Sequence, residues 1–458
     1  MNLPLELALA ATGAQLVEGE RAPAIVRPST DTRTLERGDT FVALRGERFD
    51  GHAFVAEAVR RGAAMLVLDD AGARIAGTPA MIVDSTISAY MALAGAARGL
   101  YRGTVVGITG SAGKTTTKAL LTQLLAAQYG QRVLTAPENE NNEIGVSKLL
   151  LAVSNDAHDV VVAELGARHY GDVAALVEIA RPQIGILTNV GEAHLEIMGS
   201  RERLEETKWG LFASGAAAVL NAGDEVSRRR APSLDRPPRW FAAARDSLEA
   251  YARLDPFTGV LDGRVLDRTA GTCVELAIDV RLPGLHNRAN LAAALAAALE
   301  LGVPLERLAG AIPSLELPRG RFDRIAVSGG LQLIYDAYNA NASGMMAALD
   351  AFSAESGARR IAVLASMAEL GDEAQALHER VGAHAAARVD VLLVSGDYAH
   401  ELARGAQRAG LGPRQIVEVS DNAQAASWLR RHVGPDDVVL LKGSRKYKLE
   451  EIVEELRA

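Results

Sequence analysis

The chain has 458 residues, 48% of them hydrophobic, with a formal net charge of −8 and a single cysteine, Cys273. At roughly 150 residues per domain the length predicts three domains, each with enough apolar residues for its own core. The negative balance argues against nucleic acid or an anionic membrane as partner, and the lone cysteine excludes an intramolecular disulfide and fits a reducing compartment.

Met1-Asn2-Leu3-Pro4-Leu5-Glu6 lacks the basic and apolar regions of a signal peptide, and no uninterrupted apolar run reaches the roughly 18 residues of a membrane span. The expectation is a soluble cytoplasmic protein. In the first hundred residues, 40–44 reads as a strand, 52–62 as a helix closed by glycine and 64–68 as a further strand. A boundary falls at Tyr101-Arg102-Gly103. Residues 104–108 are a β-branched run, followed by a glycine-rich turn and a helix over about 114–128, with Leu120, Leu121, Leu124 and Leu125 at helical spacing and Gly130 as its stop. Buried-type strands follow at 159–163 and 184–187, so a mostly parallel sheet is predicted. The Arg- and Pro-rich stretch 227–238 reads as a surface excursion, 274–280 as an alternating strand and 287–301 as an alanine-rich helix. A second boundary lies near 313–320, and strand-like runs at 361–365, 391–395 and 438–442 then form a separate Rossmann-like α/β unit. The expected division is 1–102, 103–315 and 316–458.

Thr109-Gly110-Ser111-Ala112-Gly113-Lys114-Thr115-Thr116 lies between the apolar strand and the amphipathic helix. Glycines let backbone N–H groups turn toward phosphate oxygens, and the helix N-terminus adds partial positive charge. Lys114 is placed to neutralise the β- and γ-phosphates and the Thr115 hydroxyl to ligate Mg²⁺. The common phosphate-loop pattern has glycine where this chain has Ile108. The alternative is a tight strand-to-helix turn with a surface lysine. No Asn-Lys-x-Asp element is present, which disfavours a guanine switch.

Glu164 ends the run Val160-Val161-Val162-Ala163, so its carboxylate belongs at the tip of a buried strand, where a metal ion accompanying a nucleotide would bind. A helix cap or a solvated side chain is the competing reading. His194 follows the next strand; a structural loop histidine is the competing reading, and its place at the same sheet edge as Glu164 and the phosphate loop favours a site residue. Lys208 shares a helical face with Leu204, Leu211 and Phe212. It either snorkels to water or is a desolvated amine of lowered pKa, able to react with CO₂ and give a carbamate.

These segments together resemble the Mur ligase family. Gly110-Ser111-Ala112-Gly113-Lys114-Thr115 is similar to its ATP loop; Glu164-Leu165-Gly166-Ala167, Asn189-Val190-Gly191-Glu192-Ala193-His194-Leu195-Glu196 and Lys208 match its Mg²⁺ and carbamylated-lysine positions. His286-Asn287-Arg288-Ala289-Asn290 resembles the adenine-side motif. Gly320-Arg321, Asp336-Ala337-Tyr338-Asn339-Ala340-Asn341 and Lys442-Gly443-Ser444-Arg445 resemble the C-terminal pieces that close over ATP. Asp31-Thr32-Arg33, Phe41 to Gly46 and Phe49-Asp50-Gly51-His52 look like a UDP-binding domain. Met367-Ala368-Glu369-Leu370-Gly371 with His378 is similar to a segment of the MurF type, and the Asp-Asn-Pro-Arg motif of the MurE type is absent. The pattern departs at Ser147-Lys148, Ala365-Ser366 and Ala342.

The resemblance implies a small N-terminal UDP-binding α/β domain, a central P-loop ATPase-like parallel-sheet domain and a C-terminal Rossmann-like domain. It implies ATP binding by Gly110, Ser111, Ala112, Gly113, Lys114, Thr115, Thr116, Asn287, Arg321 and Asp336, and two Mg²⁺ ions held by Thr115, Glu164, His194 and a carbamate on Lys208. Lys114, His194 and Lys208 are then the catalytic residues, and Thr32, Arg33, Asn141, Asn142, Tyr338, Asn339 and Asn341 the substrate-binding ones. The implied reaction is ATP-dependent amide ligation through an acyl phosphate, joining D-alanyl-D-alanine to a UDP-linked muramoyl tripeptide, by a monomer. Other acid and amine substrates, a MurE-type amino-acid ligase and an inactive nucleotide-binding regulator are the alternatives.

Overall fold

A computed structural model of the chain describes residues 1–18, 21–46, 49–137, 139–192, 195–327 and 331–457. Three larger sheets follow one another along the sequence. The first has five strands in the spatial order Gln15–Val17, Ala80–Ile82, Met65–Leu68, Thr40–Val42 and Pro28–Ser29. The second has nine. Its parallel part runs Val133–Thr135, Val160–Glu164, Thr104–Thr109, Ile184–Leu187, Ala217–Asn221, Arg239–Ala243 and Phe257–Leu261, and an antiparallel hairpin, Arg264–Thr269 and Thr272–Ala277, closes one edge. The third has six strands, with Gln332–Tyr335, Val438–Lys442, Arg360–Ala365, Val391–Ser395 and Ile416–Glu418 parallel and Asp323–Ala326 antiparallel at the edge.

The composition of each strand follows from what covers it. Val160–Glu164 and Ile184–Leu187 are buried throughout and, apart from the terminal Glu164, are apolar, as parallel strands covered on both faces must be. The edge strand Thr272–Ala277 instead alternates exposed and half-buried positions, because one of its faces meets water. The helix Lys114–Tyr129 buries Leu120, Leu121, Leu124 and Leu125 against Val106, Ile108 and Val162 and against the helix Leu285–Glu300. Ala292, Ala293, Ala294, Ala296, Ala297 and Ala298 of that second helix are fully buried. Their small side chains let helix backbones approach closely, which brings Asn287 and Asn290 up to the phosphate loop.

Helix Thr86–Leu100 joins the first sheet to the second. Its buried Arg98 donates to the carbonyls of Ala180, Tyr101 and Arg181 at 2.8, 3.2 and 3.1 Å. Leu93 and Ala97 of that helix share one hydrophobic cluster with Leu149, Val173 and Leu176 of the central sheet's helices. The first two sheets are therefore welded through a common core. The third has separate clusters on its two faces, around Leu349, Leu364 and Val381 and around Ile361, Val439 and Ile452.

Most expected elements are present within one or two residues. The helix expected over 52–62 is a 3₁₀ turn, Gly51–Phe54, followed by the helix Val55–Arg60, with the Asp50 carboxylate accepting the His52 N–H. The excursion at 227–238 includes the end of a short helix, Glu225–Arg230. The strands Val133–Thr135, Ala217–Asn221, Arg239–Ala243 and Phe257–Leu261 were not anticipated.

Candidate active site

The strand Thr104–Thr109 ends in the middle of the central sheet, and the turn after it feeds the helix at Lys114. Gly110 has φ +147°, and a Cβ there would stand 2.0 Å from Thr188 Oγ1. Gly113, with φ +84°, would place a Cβ 2.3 Å from Asn290 Oδ1. Only glycine meets both requirements. The Ser111 N–H donates to Asn189 O and the Ala112 N–H to Asn189 Oδ1, each at 3.0 Å. That leaves the first helical N–H groups, at Lys114, Thr115 and Thr116, without acceptors inside the helix, at the positive end of its dipole.

These residues line a cavity of about 1120 Å³ between the central and C-terminal sheets. Ser111, Ala112, Gly113, Lys114, Thr115 and Thr116 form one wall, with Asn141 and Glu164 beside them; Asn287 continues it, and Arg321, Asp336, Tyr338, Asn339 and Asn341 face it from the C-terminal part. Gly110 and Lys208 are not part of the lining. Lys114 Nζ donates to Gly110 O at 2.7 Å. Burial pushes its pKa down, Arg321 adds in the same direction and Glu164 opposes.

Glu164 is 2% exposed. Its Oε1 accepts from Asn141 Nδ2 at 2.8 Å, whereas Oε2 is buried without a hydrogen-bond partner among the described residues. An orphaned carboxylate oxygen that shares a cavity lining with Thr115 and the phosphate loop fits a hard divalent cation. Among the described residues no three His, Cys, Asp or Glu side chains cluster as a metal site. His194, the expected further ligand, lies outside the described residues.

Lys208 is the penultimate residue of the helix Arg201–Trp209 and is 1% exposed, and Leu204, Leu211 and Phe212 are buried with it. Its ammonium does not reach water, which removes the snorkelling alternative. Burial and then Lys114 bring its pKa down to about 7, against the opposing pull of Asp172 and Glu164.

Across the cavity, Asp336 is 7% exposed and is gripped twice by Lys442, whose Nζ is 2.9 Å from both Asp336 O and Oδ2. The Arg321 guanidinium lies over the Tyr338 ring at 4.6 Å. Asn341 caps the helix Ala342–Phe352 by accepting the Gly344 N–H, and its Nδ2 donates 3.3 Å to Ser111 O of the phosphate loop. Asn287 lines the cavity while donating to Pro283 O at 2.9 Å.

The remaining expected substrate residues divide. Asn142 caps the helix Glu143–Leu151 through the Gly145 N–H and does not line the cavity. Thr32 and Arg33 belong to the N-terminal part, where Arg33 is exposed and paired to Asp31 at 2.7 Å. Sequence reasoning missed Lys118 and left Lys442 without a role. Lys118 is buried on the phosphate-loop helix in the same stripe as Leu121 and Leu125, the signal that singled out Lys208.

A phosphate loop on a parallel sheet, faced across one cavity by the polar residues of a second α/β domain, defines a nucleotide-using enzyme with a separately cored cap. Sequence profiles narrow the class: residues 24–98 match the Mur ligase family catalytic domain, 108–298 the Mur ligase middle domain, and 320–445 the Mur ligase glutamate ligase domain. The chain belongs to the Mur ligase family. It is 34% identical to the UDP-N-acetylmuramoyl-tripeptide--D-alanyl-D-alanine ligase of Synechocystis, over 94% of this chain and 91% of that protein. MurF from Acinetobacter baumannii superposes with a TM-score of 0.85 at 27% identity, covering 100% of this chain and 99% of that one. MurF ligase from Thermotoga maritima in complex with ADP gives 0.78 at 29%, covering 94% and 97%.

Proposed function

We propose that this chain joins D-alanyl-D-alanine to UDP-N-acetylmuramoyl-tripeptide with ATP, through an acyl phosphate, in peptidoglycan precursor synthesis. The observation that carries the reading is the single cavity in which Lys114, Glu164, Arg321 and Asp336 converge from two domains. The helical N–H groups and Lys114 hold the β- and γ-phosphates. A carboxylate oxygen of the tripeptide attacks the γ-phosphorus, and the bond to ADP oxygen breaks. The dipeptide amine then attacks the acyl carbon and loses a proton, the C–O bond to phosphate breaks, and the amide forms.

Positioning and charge neutralisation supply most of the catalysis. Asp336, oriented by Lys442, holds the ribose, Asn287 the adenine side, and Arg321 the phosphates as the C-terminal domain swings in to exclude water. Thr115, Glu164, His194 and a carbamate on Lys208 would hold two Mg²⁺ ions, which supply Lewis-acid neutralisation of the transferred phosphoryl group. Thr32 and Arg33 take the UDP end, Asn141 and Asn142 the approach of the peptide, and Tyr338, Asn339 and Asn341 the acceptor side. The units are 1–102, 103–315 and 316–458, acting as a cytoplasmic monomer. Among the described residues no helix is long and apolar enough to cross a membrane.

Phosphate release with the UDP-linked tripeptide, scored against D-alanyl-D-alanine, D-alanine and a diamino acid, tests the assignment. The dipeptide is expected to be preferred. Preference for the diamino acid moves the chain to the MurE type, and turnover only on an unrelated acid and amine moves it to another pathway.

A further inference from the structure

The loop 366–371 joins the tip of the strand Arg360–Ala365 to the 3₁₀ turn Gly371–Glu373 and the helix Ala374–Ala386. Glu369 holds φ +61° and Gly371 φ +55°, left-handed values that a non-glycine residue keeps only where its surroundings fix it. Other parts of the cap do the fixing. Ser366 Oγ donates to Ser395 O at 3.1 Å and accepts the Tyr398 N–H at 2.9 Å, while Ser366 O accepts the Ser444 N–H at 3.3 Å. The Met367 N–H donates to His378 Nε2 at 2.8 Å. A ring nitrogen that accepts carries no proton, so His378 is neutral with its hydrogen on Nδ1, which donates to Ala374 O at 2.6 Å. The ring is wholly buried and stacks on Tyr398 with centroids 4.5 Å apart, and burial lowers its pKa, in keeping with the neutral form. The far end of the loop reaches the central domain. A Cβ on Gly371 would stand 3.2 Å from Glu196 Cβ, so this turn rests on the helix Leu195–Met198. That helix comes after Gly191 and Glu192 of the cavity wall, and Arg380, on the same helix as His378, pairs with Glu192.

We propose that His378 is a positioning residue for the ligation step: by holding the Met367 N–H it keeps the loop in the shape that seats Gly371 on Glu196, and so keeps the cap closed while the acyl phosphate awaits the amine. This rests on the reading of the chain as an ATP-dependent amide ligase. A loosened seat admits water. Water then adds to the acyl carbon, the C–O bond to phosphate breaks, and the donor's carboxylic acid returns with inorganic phosphate, so that ATP is consumed without an amide. Lys114 and Asn287 belong to the central domain and make no contact through this loop, so the hold on the nucleotide's phosphates and adenine side is largely independent of it. Loss of His378 therefore separates phosphate release from amide formation instead of weakening nucleotide binding.

The test measures phosphate and amide side by side, on the full chain with ATP, UDP-N-acetylmuramoyl-tripeptide and D-alanyl-D-alanine. Wild type is expected to form them in equal amounts. His378→Leu should lower kcat for the amide by about tenfold and raise the ratio of phosphate to amide by about threefold or more, with KM for ATP little changed. His378→Gln, whose Oε1 can stand where Nε2 accepts the Met367 N–H, should recover most of the coupling. His378→Asn, which can keep only the bond to Ala374 O, should not, and it replaces the leucine variant if that one fails to fold. Gly371→Ala obstructs the seat while leaving the His378 bonds in place, and should raise the ratio as well. A purely structural role only reduces the amount of folded enzyme, which scales both products alike. An unchanged ratio in the leucine, asparagine and Gly371 variants would therefore overturn the inference, and coupling kept by asparagine but lost by glutamine would overturn the part given to Met367. Wild type that releases phosphate with these substrates but makes no amide would instead bring down the ligase reading itself.

Discussion

Burial gives Lys208 its chemistry: an amine whose pKa is brought down to about 7 is substantially neutral at physiological pH. The sign of the linked stability effect follows. In the unfolded chain the same amine titrates near 10.5, so the folded state is penalised in full below about pH 7 and progressively less as pH rises toward 10.5. Lys208→Met in CO₂-free buffer is therefore expected to raise stability most at pH 7 and below, by at most about 5 kcal/mol, with the gain fading by pH 10. Thermal unfolding across that range checks it, and a gain independent of pH would contradict the lowered pKa. The stripe of Leu204, Lys208, Leu211 and Phe212 was visible in the sequence. Whether the ammonium reached water was not, because that depends on the residues packed above the helix from elsewhere in the chain.

Elements were legible where one strong pattern dominated. The runs ending at Thr109, Glu164 and Leu187 are short stretches dominated by valine, isoleucine and leucine, and the turn after Thr109 is punctuated by glycines with a helix directly behind. Ala217–Asn221 and Arg239–Ala243 were missed because their small alanines give a weak strand signal, and Val133–Thr135 because three residues are too few. Gly113 carried a consequence the sequence did not reveal, since its partner Asn290 is far along the chain. Gly113→Ala combines a left-handed backbone with a 2.3 Å approach to Asn290 Oδ1, an atom that also accepts from Thr117 Oγ1 at 3.4 Å. The expected cost is about 1–3 kcal/mol, concentrated at the helix N-terminus. ADP affinity should fall by about tenfold or more, with only a few degrees lost in Tm. Calorimetric titration and unfolding together separate this from general destabilisation.

At the scale of the molecule, a shared core binds the N-terminal and central sheets, whereas the cap has cores of its own and meets the phosphate loop through polar groups. Two contacts stand out: Asn341 to Ser111 O, and Arg380 to Glu192 at 2.8 Å. The ion pair is partly open to solvent, so its worth is at most about 1 kcal/mol. Arg380→Glu should accordingly weaken ADP binding by no more than about fivefold, mostly at low salt, and Glu192→Arg in the same chain should restore it. A loss that persists at high salt would assign Arg380 another role.

The domain junction has one further tie. Gln123 Nε2 donates to Glu316 O at 2.8 Å, and its Oε1 accepts the Glu316 N–H at 3.0 Å, a two-point grip on the segment that leads into the cap. Gln123 stands nine residues beyond Lys114 on the same helix, a rigid rod of about 13 Å between them. The rod that begins at the phosphate loop therefore also carries the reference mark from which the cap is measured. The segment leading into the cap is thereby held at a fixed rise along the helix that begins at the phosphate loop.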